Sequence, residues 1–155
     1  MNQQSALREL ISQYKTGHAL FTEPINRAFH QEVVKPQLTF REDGYDIRDI
    51  LGDSVKYRHG TPEFRLTEEE AWEKYWQHEA RNYVADLEAL LGFITHFCKK
   101  HDLGFVLMWT QQQRWGANLS EMRANGKVWT ANDTLAQLAV LAVLLDYTEA
   151  QSKAS

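Results

Sequence analysis

Apolar positions between Thr67 and Gly104 recur every three or four residues and predict one very long amphipathic helix. Trp76, Ala80, Tyr83, Leu87, Leu90, Ile94 and Phe97 alternate spacings of four and three, the pattern of a heptad seam. A second row, Val84, Leu91 and Cys98, widens the stripe and favours burial in a globular core over a narrow coiled coil. Thr67 with Glu70 fits a capping box, which marks the start. Glu68, Glu69, Glu70 and Glu73 in the first turns, with Lys99, Lys100 and His101 in the last, oppose the helix dipole at both ends, and Gly104 offers a left-handed stop. Such a helix would be roughly 50 Å long, whereas a compact chain of this size has a radius of gyration of about 15 Å. It must therefore kink, with Gly92 the expected point, or project and pair with a second copy or another protein.

The flanking patterns predict an α+β protein. Ser5 precedes Leu7, Leu10, Ile11 and Tyr14, one face of a short helix that Gly17 can end. Thr22 and Pro24 open a second, with Ile25, Ala28, Phe29 and Val33 on one side and Pro36 closing it. From Gln37 to Leu66 the period changes to two. Leu38 and Phe40, Val55 and Tyr57, and Phe64 and Leu66 alternate with polar residues between turn signals at Asp43-Gly44, Gly52 and Gly60-Thr61-Pro62. Tyr45 to Leu51 fits a strand or a helical turn.

Beyond Gly104, Phe105 to Trp109 is continuously apolar and reads as a buried central strand. Trp115, Ala117 and Leu119 alternate, with a short helix over Leu119 to Arg123 as the alternative, and Asn125-Gly126 suits a two-residue hairpin turn. Thr130 with Asp133 resembles a second capping box. It precedes a helix whose Leu135, Leu138, Ala139, Ala142, Val143 and Leu145 are apolar on more than one side, so that helix should be mostly buried. The polar tail from Glu149 is expected to fray. The expected architecture is a single α+β domain over residues 1–150, with a long central helix and an apolar C-terminal helix packed on a small, mainly antiparallel sheet.

Composition narrows the function classes. The chain has 155 residues, 43% hydrophobic and 25% charged, enough for one core and too few for a second full domain. Its formal charge of -4 gives no global attraction to nucleic acid or to anionic membranes. One cysteine, Cys98, excludes an internal disulfide and fits a reducing compartment. Met1 to Leu10 lacks a signal-peptide apolar region, and the apolar run Leu135 to Leu145 is too short to span a bilayer. A cytoplasmic location is the expectation, with no membrane partner.

Motifs for catalysis are missing. There is no G-x-G-x-x-G, no Walker-type loop and no G-x-S-x-G elbow. His78-Glu79-Ala80-Arg81-Asn82 misses the zinc-protease helix motif because Asn82 stands at the second ligand position. Cys98, His101 and Asp102 share one helical side and form the alternative reading, a metal site or enzyme centre. His96 lies about 200° away from Cys98, and a further ligand would have to come from His59 or His18. Glu68, Glu69, Glu70 and Glu73 are explained by the helix start rather than by a cation. Lys56, Arg58 and Arg65, interleaved with Tyr57 and Phe64, form a second alternative, a nucleic-acid adaptor, opposed by Asp46, Asp49, Asp53 and Glu63 around them. Arg114-Trp115 and the run Gln111 to Gln113 add stacking and hydrogen-bonding groups without a recognised module.

Aromatic residues carry the leading expectation. Trp72, Tyr75 and Trp76 crowd the acidic start of the long helix beside Glu69 and Glu73, and rings of this kind dominate interface hot spots. The sequence therefore points to a non-catalytic protein-binding or regulatory accessory protein of bacterial or mobile-element character, needing no cofactor. It would act through that helix end or by self-association as a homodimer.

Overall fold

In the computed structural model, which describes residues 5–15, 22–61 and 63–154, the stretch that reads as one long helix is two. Helix α3 (Glu68–Lys74) continues into a π-helical turn (Tyr75–Glu79), the chain straightens at Ala80 with ψ 107°, and α4 (Leu87–His101) starts afresh. The break lies at residues 80–86, and α4 runs unbroken through Gly92, where the sequence places the kink.

Short polar side chains explain the interruption. Asn82 Oδ1 accepts from the Ala85 N–H at 3.1 Å, and Asp86 Oδ1 accepts from the Ala89 N–H at 3.1 Å as the N-cap of α4. Each supplies backbone donors with a partner outside a continuous helix. Asn26, 8% exposed, accepts from the Tyr83 N–H at 2.9 Å and fixes the restart. Truncating Asn26 to alanine leaves that amide without its acceptor, so the variant is expected to lose about 1–2 kcal/mol in urea unfolding. An unchanged midpoint would show that the bond contributes nothing.

The end of α4 also differs from expectation. Asp102, not Gly104, takes the left-handed stop, with φ 56° and its N–H on the Cys98 carbonyl. Gly104 is already in a strand.

The chain divides into two units, Met1–Val33 with Asn82–Ser155, and Val34–Arg81. In the first, α1 (Ala6–Lys15) and α2 (Thr22–Phe29) bury the faces that their periodicity predicts, Leu7 and Ile11 on one, Ile25, Ala28 and Phe29 on the other. Gly17 and His18 lie outside the described residues. A π-helical turn, His30–Val34, extends α2. Within it Glu32 reaches the start of α1, accepting from the Leu7 N–H at 2.8 Å and from the Ser5 hydroxyl. A carboxylate there opposes the positive end of the helix dipole.

Strands β4 (Leu103–Trp109), β5 (Trp115–Glu121) and β6 (Val128–Asp133) form an antiparallel sheet in the order β4-β5-β6. The Leu119 to Arg123 region is strand rather than helix up to Glu121. The β5–β6 connection is a longer loop than the predicted two-residue turn, with Asn125 at φ 60° and the Glu121 N–H on the Lys127 carbonyl at 2.9 Å. Thr130 belongs to β6. Asp133 is the residue whose carboxylate accepts from the Thr134 N–H at 2.7 Å ahead of α5 (Ala136–Ala154). That carboxylate is fully buried, and Lys15 Nζ lies 3.4 Å from its other oxygen.

Helix α5 is the core element, as its all-round apolar pattern predicts. Leu138, Ala139, Val140, Leu141, Val143 and Leu144 are all at 0% exposure. It packs against β5 and β6. A series of ring contacts, Phe29–Phe93 edge-to-face at 5.6 Å, Phe93–Phe97 tilted at 5.9 Å and Phe97–Tyr147 edge-to-face at 5.7 Å, joins α2, α4 and α5. The polar stretch from Glu149 continues α5 to Ala154, with Arg8 bridging Asp146 at 2.8 Å and Glu149 at 2.9 Å.

In the second unit, β1 (Gln37–Arg41), β2 (Gly44–Arg48) and β3 (Ser54–Arg58) make a three-stranded antiparallel meander. Tyr45 to Arg48 is strand, whereas Phe64 and Leu66 lie outside any strand. Asp49 turns the chain between β2 and β3, its Oδ1 accepting from the Leu51 N–H at 2.9 Å and the Asp53 N–H at 3.1 Å. Ile47 and Tyr45 face inward, and α3 buries Ala71. Five α-helices and two small antiparallel sheets among the described residues make this an α+β protein.

Candidate protein-binding site

The capping box at Thr67 forms as the sequence predicts. Thr67 accepts from the Glu70 N–H at 3.2 Å, and its hydroxyl donates to Glu70 Oε1 at 3.0 Å. With the start fixed there, spacings of three and four bring Glu69, Trp72, Glu73 and Trp76 onto one stripe. Glu69 and Glu73 are exposed and the two tryptophans half-buried. Tyr75 points the other way and is 6% exposed. It braces both indoles edge-on, at 5.8 Å from Trp72 and 5.3 Å from Trp76. Gln77 donates to Glu73 at 3.3 Å, continuing the polar margin. The result is a pair of partly accessible rings alternating with two carboxylates along one stripe. Tyr75, which the sequence groups with the two tryptophans, is thus buried beneath them.

Lys56 and Arg58 do share an exposed sheet face, because β3 alternates exposed and half-buried residues from Ser54 to Arg58. Cross-strand register adds Thr39, Asp46 and Arg48 to that face. Two of its cations are matched by carboxylates. Lys56 Nζ lies 2.7 Å from Asp43, which holds that carboxyl below its usual pKa, and Arg41 lies 3.0 Å from Asp46. Arg65 is exposed outside the sheet. On the inner side, Tyr57 Oη and His59 Nε2 are enclosed without a hydrogen-bond partner, while His59 Nδ1 accepts from the Leu66 N–H at 2.9 Å. Burial, then the charge of Glu79, pushes the Tyr57 hydroxyl up to about 12, so it keeps its proton near neutral pH.

Among the described residues, Cys98, His101 and Asp102 do not converge as a set of metal ligands. No group of three or more His, Cys, Asp or Glu side chains among the described residues is placed to hold an ion. His101 lies over Phe97, ring centres 4.4 Å apart, and burial with nearby Lys100 lowers its pKa. Asp102 is exposed at the helix stop. Cys98 is 8% exposed, and burial pushes its thiol up to about 11. Since thiolate is the reactive form, the native protein at pH 8 is expected to react with a disulfide reagent at least about 100-fold slower than the urea-unfolded chain. Equal rates would place the thiol at the surface. The zinc-protease near miss is likewise dispersed, since His78 and Glu79 end the π-helical turn and Asn82 lies beyond it.

One feature is at odds with the sequence pattern. The apolar run Phe105 to Trp109 occupies an edge strand, not a central one, and Val106, Met108 and Trp109 are 48%, 45% and 56% exposed. Register places Val106 and Met108 on the same face as Gly116, Asn118, Ser120 and Thr130, opposite the face on which α5 lies. The polar alternation in β5 and β6 carries this signal; the apolar run alone does not.

Compared with family models, characterised proteins and solved structures, the chain matches none. No helix among the described residues is long and apolar enough to cross a membrane.

Proposed function

We propose that this chain is a non-catalytic, protein-binding accessory protein that engages its partner through the Glu69, Trp72, Glu73 and Trp76 stripe of α3. The observation that carries the reading is the pairing of two half-buried indoles, held by buried Tyr75, with two exposed carboxylates. Rigid tryptophans lose little conformational freedom on binding and give large contact area. Flanking carboxylates favour a partner segment that presents lysine or arginine, whose cations suit both the glutamates and the indole faces. Self-association along the heptad seam is not part of this reading, because Leu90, Ile94 and Phe97 are buried in their own unit.

The test is affinity isolation from the native host with the wild type and two variants, Trp72→Ala with Trp76→Ala, and Glu69→Lys with Glu73→Lys. Both substitution pairs sit on the accessible stripe. A stoichiometric partner recovered with the wild type should fall at least about tenfold with each variant, at unchanged circular dichroism. A partner retained equally by both would remove the stripe as the binding site.

A further inference from the structure

We propose that the outer edge of β4 pairs antiparallel with β4 of a second copy, joining the two β4-β5-β6 sheets into one continuous sheet about a two-fold axis at Val106. This surface is separate from the α3 stripe and does not depend on it.

The ladder pattern fixes which groups are available. The Thr110 N–H bonds the Arg114 carbonyl at 2.8 Å, and the Met122 N–H bonds the Asp102 carbonyl at 3.3 Å, one at each end of the β4–β5 pair. Antiparallel alternation then turns the main-chain groups of Gly104, Val106 and Met108 toward β5 and those of Phe105, Leu107 and Trp109 outward. These outward groups form no hydrogen bond to another described residue.

Natural edge strands are shortened, charged, bulged or interrupted by proline, because a bare edge recruits another strand. The molecule follows that rule in its other sheet, where the edge strands are five residues long and carry Arg41 on one, Lys56 and Arg58 on the other. Strand β4 breaks it. It is seven residues long, Leu-Gly-Phe-Val-Leu-Met-Trp, with no charge, no proline and three strongly exposed apolar side chains. The opposite edge, β6, offers Val128, Thr130 and Asn132 outward, with Val128 as its one strongly exposed apolar side chain against three on β4.

A second copy fits this edge for reasons of size and charge. With the axis at Val106, Phe105 pairs with Leu107 and Leu103 with Trp109 of the second copy, which gives about eight main-chain hydrogen bonds. On the open face Gly104 comes opposite Met108, small against large, and Val106 meets its own equivalent. The chain repels itself through its formal charge of -4, but the uncharged strand brings no like charges together. At the strand's end, Asp102 comes opposite Thr110 rather than another carboxylate.

The experiment measures mass by light scattering and dissociation by sedimentation for the wild type, Val106→Lys and Val106→Glu. Val106 is exposed, so both variants should keep the wild-type circular dichroism, and Thr130→Lys on β6 serves as the control edge. The expected wild type is a dimer of the 18.0 kDa chain. Each Val106 variant alone should dissociate at least tenfold more readily, because like charges then face each other across the axis. Mixing the two variants should restore the dimer, and Thr130→Lys should leave it intact. A wild type that stays monomeric at 100 μM, approximately the concentration of such sedimentation work, would overturn the proposal. So would a dimer indifferent to both Val106 charges, or one lost only in Thr130→Lys.

Discussion

Leu141→Ala is expected to destabilise the protein by about 3 kcal/mol, near the middle of the range for fully buried leucines. The side chain is at 0% exposure, and its helical neighbours Leu138, Leu144 and Leu145 are at 0 to 2%. Removing the isobutyl group forfeits its transfer free energy and leaves a void that neighbours fixed on one helix fill poorly. Urea unfolding followed by far-UV circular dichroism reads the loss as a lower midpoint, and a thermal scan should show a fall of about 10 °C. Val106→Ala, on the open sheet face, is the comparison and should change stability of the isolated chain by less than about 0.5 kcal/mol. Equal effects at the two positions would mean that α5 is not the organising core.

Gly44→Ala is the second large effect, expected at about 3 kcal/mol or more. Gly44 begins β2 at φ +153°, and a Cβ there would lie 1.9 Å from the Tyr57 carbonyl oxygen and 2.8 Å from the Arg58 Cα. Both atoms are backbone of the paired strand, so no side-chain rotation relieves the contact. The β2–β3 ladder must open or shift, which should appear as faster hydrogen exchange at the amides of Tyr45 to Arg48 and Ser54 to Arg58. Wild-type exchange there would show that the strands do not approach so closely.

Much of the fold is legible from periodicity because burial acts locally. Leu7 with Ile11, Ile25 with Phe29, and the all-round apolar α5 are predicted by spacing and are buried. The strands β1, β3 and β5 follow from alternation. What misleads is a pattern that continues through a structural break. Ala80, Tyr83 and Leu87 keep the heptad spacing although residues 80–86 leave the helix, since Tyr83 packs on Phe29 at 5.7 Å from a turn. The better signal is Asn82 with Asp86 four residues on, two residues that favour caps over helix interiors. Burial of β4 is misjudged for a related reason: an apolar run does not disclose whether a strand has neighbours on both edges.

The candidate site is legible in part. The acidic helix start and its aromatic content are sequence properties, whereas the division of labour, Tyr75 inward and the two tryptophans partly outward, depends on the packing of α3. The alternatives are sequence-adjacent clusters whose environments differ from what their chemistry would need. Cys98 lies in the apolar interior, and Lys56 is already paired with Asp43.

Carboxylate footprinting by mass spectrometry, with and without the co-purifying partner, tests the binding account most directly. Glu69 and Glu73 are exposed in the free chain, as is Glu9 on α1. The account predicts that partner binding protects Glu69 and Glu73 from modification by at least about fivefold while Glu9 reacts as before. Full reactivity of Glu69 and Glu73 in a stoichiometric complex would contradict it.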